Sequence, residues 1–306
     1  MKKRWCQAVT GLRGEYPQER LDTLCGLFGK TRQAYYKKKK TQITKSQLRA
    51  VLLEAISYYR SQAPGMGGVK LHTELSTLYG YQVTGGRDAF LRFMRAEKMM
   101  LPARKPRYTT QSNHLFRKYP NLIKGLQVTY PNHIWVSDIT YIWIEGSVCY
   151  LHLLTDSYSH AVLGWVLAPG LHAEYTAQAL EQAIAKAGGG NLCGTIHHSD
   201  RGTQYACYLY ISLLTDHHIQ ISMTEDSKPT DNAIAERMNG ILKTEWIYGI
   251  SLFKNEEQAR QRIGQMIQFY NYDRPHMSIG MKKPMDVYEG EVPGENLWKK
   301  KGKTKL

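Results

Sequence analysis

Three carboxylates, Asp138, Asp200 and Glu236, sit in local contexts that suit metal-dependent chemistry on a phosphodiester. Asp138 lies in IWVSDITYI, Asp200 ends GTIHHSD ahead of RGTQY, and Glu236 sits in TDNAIAERMNGILKTE, with 35 residues between the last two. Two divalent ions held about 3.5 to 4 Å apart need carboxylates from separate elements converging on one point. Hard oxygen ligands with no cysteine among them point to two Mg²⁺ or Mn²⁺ ions rather than zinc. Asp138 stands in the middle of an apolar run, where an unpaired charge is costly unless something binds it.

The elements around these acids read as an α/β layer. ITYIWI, VCYLHLLTD and HAVLGWVLA are short runs rich in β-branched and aromatic residues, as three strands of a meander would be. A helix at AEYTAQALEQAIAKA ends in three glycines, and then come a strand at GTIHHSD, a helix near QYACYLYISLLTDH, a strand at IQISM and a helix at NAIAERMNGILKTE. Strands followed by alternating helix and strand imply a mixed sheet. Asp200 then falls at the carboxyl edge of a strand, where open α/β sheets place their ligands. On the Glu236 helix, Asn232, Asn239 and Lys243 share the glutamate's face, with Lys243 two turns on and suited to holding a substrate phosphate.

Competing assignments are weaker. Asp156 reads as a turn residue after the second strand and Asp231 as a helix N-cap. His198, Ser199 and Asp200 spell the letters of a hydrolase triad, but consecutive strand residues point to alternate faces and cannot form a relay.

Charge divides the chain unequally. The net charge is +15, yet residues 1–130 hold 25 Lys and Arg against 7 Asp and Glu, while residues 131–306 hold 16 against 19. The basic half suits a phosphate backbone, whose counterions it would release, and the other half suits the chemistry. Residues 18–40 predict two short helices joined at Gly29, with Leu21, Leu24, Cys25 and Phe28 on one face and Thr31 as N-cap of the second. In a helix-turn-helix that second helix enters the major groove, which makes Arg32, Gln33, Tyr35, Lys37 and Lys38 candidate DNA contacts. More helix is expected over 46–100, and residues 101–130, where proline and basic residues mix without periodicity, read as a linker.

No apolar run approaches the length of a membrane span, and MKKRWCQAVTGLRGEY has no apolar segment behind its basic residues, so a cytoplasmic protein is expected. The five cysteines are scattered, with no CxxC pair, as reduced thiols would be. The tail WKKKGKTKL has no core-forming residue after Trp298 and is expected to be disordered or loosely bound to phosphate.

Together WVSDITYI, HHSDRGTQY, DNAIAER followed by LKTE, and YNYDRPH with Pro284 beyond it resemble the integrase core of bacterial insertion-sequence transposases. More narrowly, the chain resembles the second-frame product (OrfB) of the two-reading-frame group, related to retroviral integrases, and the likeness covers nearly its whole length. LCGLFGKTRQAYYK resembles that group's amino-terminal helix-turn-helix.

The resemblance implies a ribonuclease H-like fold with a five-stranded mixed sheet, preceded by a mostly helical basic region. It implies two Mg²⁺ ions on Asp138, Asp200 and Glu236, with Lys243 as the basic residue seven positions past the glutamate. The division expected is a helix-turn-helix region over 1–62, a basic helical region over 63–107, a linker over 108–130, the catalytic core over 131–290 and the tail over 291–306. The implied reaction cuts the element's ends to free a 3′-hydroxyl and transfers that hydroxyl to another phosphodiester, with no covalent enzyme–DNA intermediate. The implied partners are double-stranded DNA, further copies of the chain assembled on it, and a first-frame (OrfA) protein, since no heptad run is visible here.

Lys228 and Pro229 stand where relatives carry a Gly-rich turn, and Arg237-Met238 where Ser-Phe is commoner. Arg274 and His276 of YNYDRPH are read two ways, as DNA contacts or as braces of the core. The alternative function is a DNA-binding regulatory or assembly subunit active only with its first-frame partner. A nuclease acting on RNA in hybrids would share the fold and ions but would need no amino-terminal basic helices.

Overall fold

The computed structural model describes residues 5–101, 118–225, 233–249 and 252–290. Six helices come first: α1 (Trp5–Glu15), α2 (Leu21–Gly26), α3 (Arg32–Gln62), α4 (Gly68–Tyr79), α5 (Tyr81–Thr84) and α6 (Arg87–Ala96). A meander follows, β1 (Ile134–Ile144), β2 (Ser147–Asp156) and β3 (Val162–Ala168), then α7 (Ala173–Lys186), β4 (Ile196–Ser199), α8 (Thr203–Ala206), α9 (Tyr208–Asp216) and β5 (Gln220–Met223). The carboxyl-terminal elements are α10 (Ala233–Glu245), α11 (Glu256–Tyr272) and α12 (Pro284–Tyr288).

The strands form one mixed sheet in the order β3-β2-β1-β4-β5. β1 and β2 pair antiparallel from Trp135↔Asp156 to Ile144↔Ser147, whereas β4 pairs with β1 in parallel only over Ile134–Val136. Alternation on β1 divides the interior. Trp135 faces a cluster with Leu154, Leu163, Leu180 and Leu214 beneath α7 and α9, while Ile142 and Ile144 face a cluster with Met238, Leu242, Trp246 and Ile263 beneath α10 and α11. Leu52, Ile56, Leu71, Leu75, Phe90 and Met94 of the helical region enter that second cluster. It therefore crosses the boundaries expected at 62/63 and 130/131.

Two expectations for the amino-terminal region need correction. The second helix of the expected helix-turn-helix does not stop near residue 40; α3 runs unbroken for 31 residues from Arg32 to Gln62. Nothing in Thr41–Gln47 is a glycine or proline able to break it. A further helix, α1, which the sequence pattern did not reveal, packs Cys6 and Val9 against Leu24, Cys25 and Tyr35. The start of α3 is as expected: the Thr31 side chain accepts a hydrogen bond from Ala34 N at 3.2 Å, and Gly29 turns with φ +62°.

Glycine marks two close approaches. A Cβ on Gly164 of β3 would lie 1.9 Å from the Ala179 carbonyl oxygen of α7, and one on Gly65 would lie 2.3 Å from Glu245 Cα of α10. Gly164→Ala is expected to force α7 off the sheet and to lower stability by about 1–3 kcal/mol or more. A urea denaturation midpoint equal to that of the parent chain would refute this.

Candidate active site

Strand register brings the first two acids together. Val136 of β1 lies level with His198 of β4 in the parallel pair, so two residues further on Asp138 comes level with Asp200, just past the end of β4. α10 packs across β1 and carries Glu236 in its first turn. One turn on, Asn239 Nδ2 donates to Asp138 Oδ2 at 2.7 Å, and Ile139 N donates to Asp138 Oδ1 at 2.9 Å. Asp200 closes a tight turn, accepting from Gly202 N at 2.9 Å.

Electrostatics tie the three acids. Burial pushes the Asp138 carboxyl up to about 7, the charge of Asp200 pushes the same way and Glu236 adds to it, against the lowering effect of the Asn239 and Ile139 hydrogen bonds. Burial also raises Glu236. Tyr205 of α8 is pushed far above the usual phenol range, first by burial and then by Asp200 and Asp138, so the negative potential extends beneath the pair. Like charges held this close favour protonation of one of them or neutralisation by a cation. Among the described residues, no three His, Cys, Asp or Glu side chains draw close enough to enclose a metal ion in this conformation. The donors nevertheless fit a hard cation: they are all carboxylate oxygens, they repel one another, and the Asn239 Oδ1 beside them is buried with no hydrogen-bond donor among the described residues.

Lys243 lies two turns beyond Glu236. Its Nζ stands 4.2 Å from the ring centroid of Tyr141; burial lowers its pKa, while Tyr141 and Asp138 favour the charged form. Asn232 and the Asp231 cap lie outside the described residues, as do Lys228, Pro229 and the 291–306 tail.

Other candidate contacts sort by exposure. Arg32, Gln33, Lys37 and Lys38 are exposed on α3. Tyr35, expected as a DNA contact, is only 1% exposed and its hydroxyl is 2.9 Å from Thr10 Oγ1, because α1 covers that face of α3. Arg274 and His276 are buried as well, so of their two readings the brace is the one seen. Arg274, 1% exposed, grips Glu245 of α10 through Nε at 2.7 Å and Nη2 at 2.8 Å, and Lys70 of α4 reaches the same carboxylate. Gly65 N donates to Glu245 O, and Trp246 Nε1 donates to Gln62 O at 2.7 Å. Glu245 had gone unread in the sequence. Its signal is its place as the last residue of LKTE, closing the helix that carries Glu236.

Two buried histidines, His197 and His276, and the partly buried His160 predict a pH dependence. Burial pushes His160 down to about 4 and His197 to about 3, and His276, stacked on His160 with centroids 4.5 Å apart, is lowered by burial and then by His160. Their folded pKa values lie below the unfolded value of about 6.5, so their contribution to stability is complete above that pH and is lost as pH falls toward 4. His160 has φ +61°, which asparagine tolerates. His160→Asn should therefore show a shallower loss of thermal midpoint between pH 6.5 and 4 than the parent; identical slopes would exclude a role for His160.

Comparisons with known proteins place the chain in a family. The family model described as integrase core domain matches residues 128–229, and a second of the same description matches residues 217–284. The "Insertion element IS600 uncharacterized 31 kDa protein" of Shigella sonnei is 30% identical over 267 residues, covering 85% of this chain and 96% of that one. The chain belongs to the insertion-sequence transposases with an integrase core. The putative transposase for insertion sequence element IS986/IS6110 of Mycobacterium tuberculosis is 31% identical over 160 residues, 51% of this chain and 58% of that protein. The IS904 transposase of Lactococcus lactis is 32% identical over 169 residues, 55% of this chain and 66% of that one. Among solved structures, the HTLV-2 integrase catalytic core domain in complex with magnesium covers 52% of this chain and 97% of its own at 21% identity, with a TM-score of 0.39. As an integrase-core transposase the chain joins a mixed five-stranded sheet to an amino-terminal helical region. No helix among the described residues is long and apolar enough to cross a membrane.

Proposed function

We propose that the chain cuts the ends of its insertion sequence and joins the freed 3′-hydroxyl to a second phosphodiester, with Asp138, Asp200 and Glu236 as the catalytic and metal-holding residues. The observation that carries this is the β1/β4 register, which ends at Val136↔His198 two residues short of both Asp138 and Asp200, with the Glu236 helix packed on β1 and Asp138 pushed up to about 7 by burial and then by the charge of Asp200. Mg²⁺ or Mn²⁺, two ions, would relieve that repulsion and supply activation of the attacking oxygen and stabilisation of the leaving one.

The remaining work falls to side chains. Asn239 holds the Asp138 carboxylate in one orientation, and Lys243 offers an ammonium to a non-bridging phosphate oxygen next to the scissile bond. In the cut, water adds to phosphorus and the 3′-oxygen leaves, taking a proton, so that one product ends in a 3′-hydroxyl and the other in a 5′-phosphate. In the join that hydroxyl loses its proton, attacks a second phosphodiester and displaces that bond's 3′-oxygen. One phosphodiester is made for each one broken, so joining needs no external energy source.

Grip on double-stranded DNA belongs to the basic half, with Arg32, Gln33, Lys37 and Lys38 exposed along α3, and Asn232, which lies outside the described residues, is a further contact. The active form is a homo-oligomer on DNA. A second reading is that the chain acts only with a first-frame partner.

The test incubates the purified chain with labelled duplex carrying the element's own ends and Mg²⁺, and resolves cut from joined strands. Joined product supports the chain acting alone. Binding without cutting in Mg²⁺ or Mn²⁺ would favour the partner-dependent reading.

A further inference from the structure

An aromatic pair sits on the catalytic strand and takes no part in the chemistry above. Trp143 is 59% exposed and Tyr141 36% exposed, with ring centroids 6.2 Å apart and planes at 76°. Alternation along β1 sends Asp138, Thr140 and Ile142 toward α10 and sends Tyr141 and Trp143 to the opposite face. β4 pairs with β1 only as far as Val136, so β1 runs on past the parallel pair here. Single exposed aromatics are common on this chain, but here two rings lie side by side and make one contiguous apolar patch, the kind of surface that marks an interaction site.

Continuity with the acids says what binds. Lys243 sits between the two features, feeling the charge of Asp138 while its Nζ lies 4.2 Å from the Tyr141 ring. A phosphate held by Lys243 brings its own nucleotide to Tyr141, with Trp143 one side chain further out. Bases inside a duplex have both faces covered by their neighbours, so only unpaired bases can lie on these rings. We propose that Tyr141 and Trp143 form a stacking platform for unpaired terminal nucleotides of the DNA end, held there while the adjoining phosphate lies at the acids. The proposal rests on DNA being the substrate of this site.

The experiment uses the full chain without divalent metal, so that binding is read apart from cleavage. The probe is end duplex with 2-aminopurine at the terminal positions, either fully paired or with the last three nucleotides unpaired. The parent chain should change the probe's fluorescence. The double variant Tyr141→Ala/Trp143→Ala should remove that change and weaken binding to the unpaired end by about tenfold or more, given about 1–3 kcal/mol per stacked base. Its affinity for fully paired DNA should stay within about twofold, and Trp143→Phe should retain the signal. Both residues are exposed, so the variants are expected to fold. An unchanged signal in the double variant, equal losses on paired and unpaired DNA, or no signal with the parent chain would each overturn the platform. A parent chain that gives the signal but never cuts in Mg²⁺ would count against the catalytic proposal and leave the platform supported.

Discussion

Asp200→Asn is expected to abolish both cutting and joining in Mg²⁺, by at least about 10³-fold, while DNA binding stays within about twofold. Asparagine still accepts the Gly202 hydrogen bond but removes the charge that, with Asp138, would hold a divalent cation. Loss of metal-based stabilisation worth several kcal/mol accounts for that factor, at about 1.4 kcal/mol per tenfold. A second signature separates this from misfolding. Asp200 raises the Asp138 carboxyl, so its removal should make the metal-free protein slightly more stable and erase any Mg²⁺-dependent rise in melting temperature. Joined product from the variant at near-parent yield would sink the assignment of Asp200.

Glu245→Gln should be among the most destabilising single changes in the chain, at about 3–5 kcal/mol. Arg274 and Lys70 both close on this buried carboxylate, and Arg274 with Lys70 lowers its pKa despite burial. Neutralising it leaves two buried cations facing each other. The node also joins three parts of the fold, α4, α10 and the segment after α11, next to the close approach of Gly65 to Glu245. Chemical denaturation of Glu245→Gln, Lys70→Met and the double variant measures the coupling. The double variant should be less destabilised than the sum of the two singles, because one orphaned cation has gone. Additive losses would mean that Lys70 and Glu245 do not act as a pair.

Some residues were readable as candidates because the signals that mark them are local. Asp138 in an apolar run, Asp200 at a strand end and Glu236 on an amphipathic helix are each set by neighbours a few positions away, and so is the Thr31 cap. Other assignments failed where a distant segment decides. Tyr35 looked like a groove contact until α1 was seen to cover it, and nothing near Tyr35 in sequence announces that cover. α3 read as two helices because the polar stretch near residue 41 interrupts the apolar periodicity, although it contains no breaker. Arg274 is paired with a residue 29 positions earlier and, through it, with Lys70, 175 positions from that same carboxylate.

The sequence by itself determined which acids are the candidates, their order along the chain, the Lys243 spacing and the confinement of excess positive charge to residues 1–130, because residue type and short-range periodicity are properties of the chain alone. Only the tertiary structure decided that β1 and β4 pair in the register that brings the charge of Asp200 to bear on Asp138, that Asn239 is the amide on Asp138, that Lys243 rests on Tyr141, and that Glu245 ties the helical region to α10. Those are distances between segments. They are set by strand register and by which helix face packs on the sheet, and a one-residue slip in the β1/β4 register would displace Asp200 from Asp138 without altering a letter of either motif.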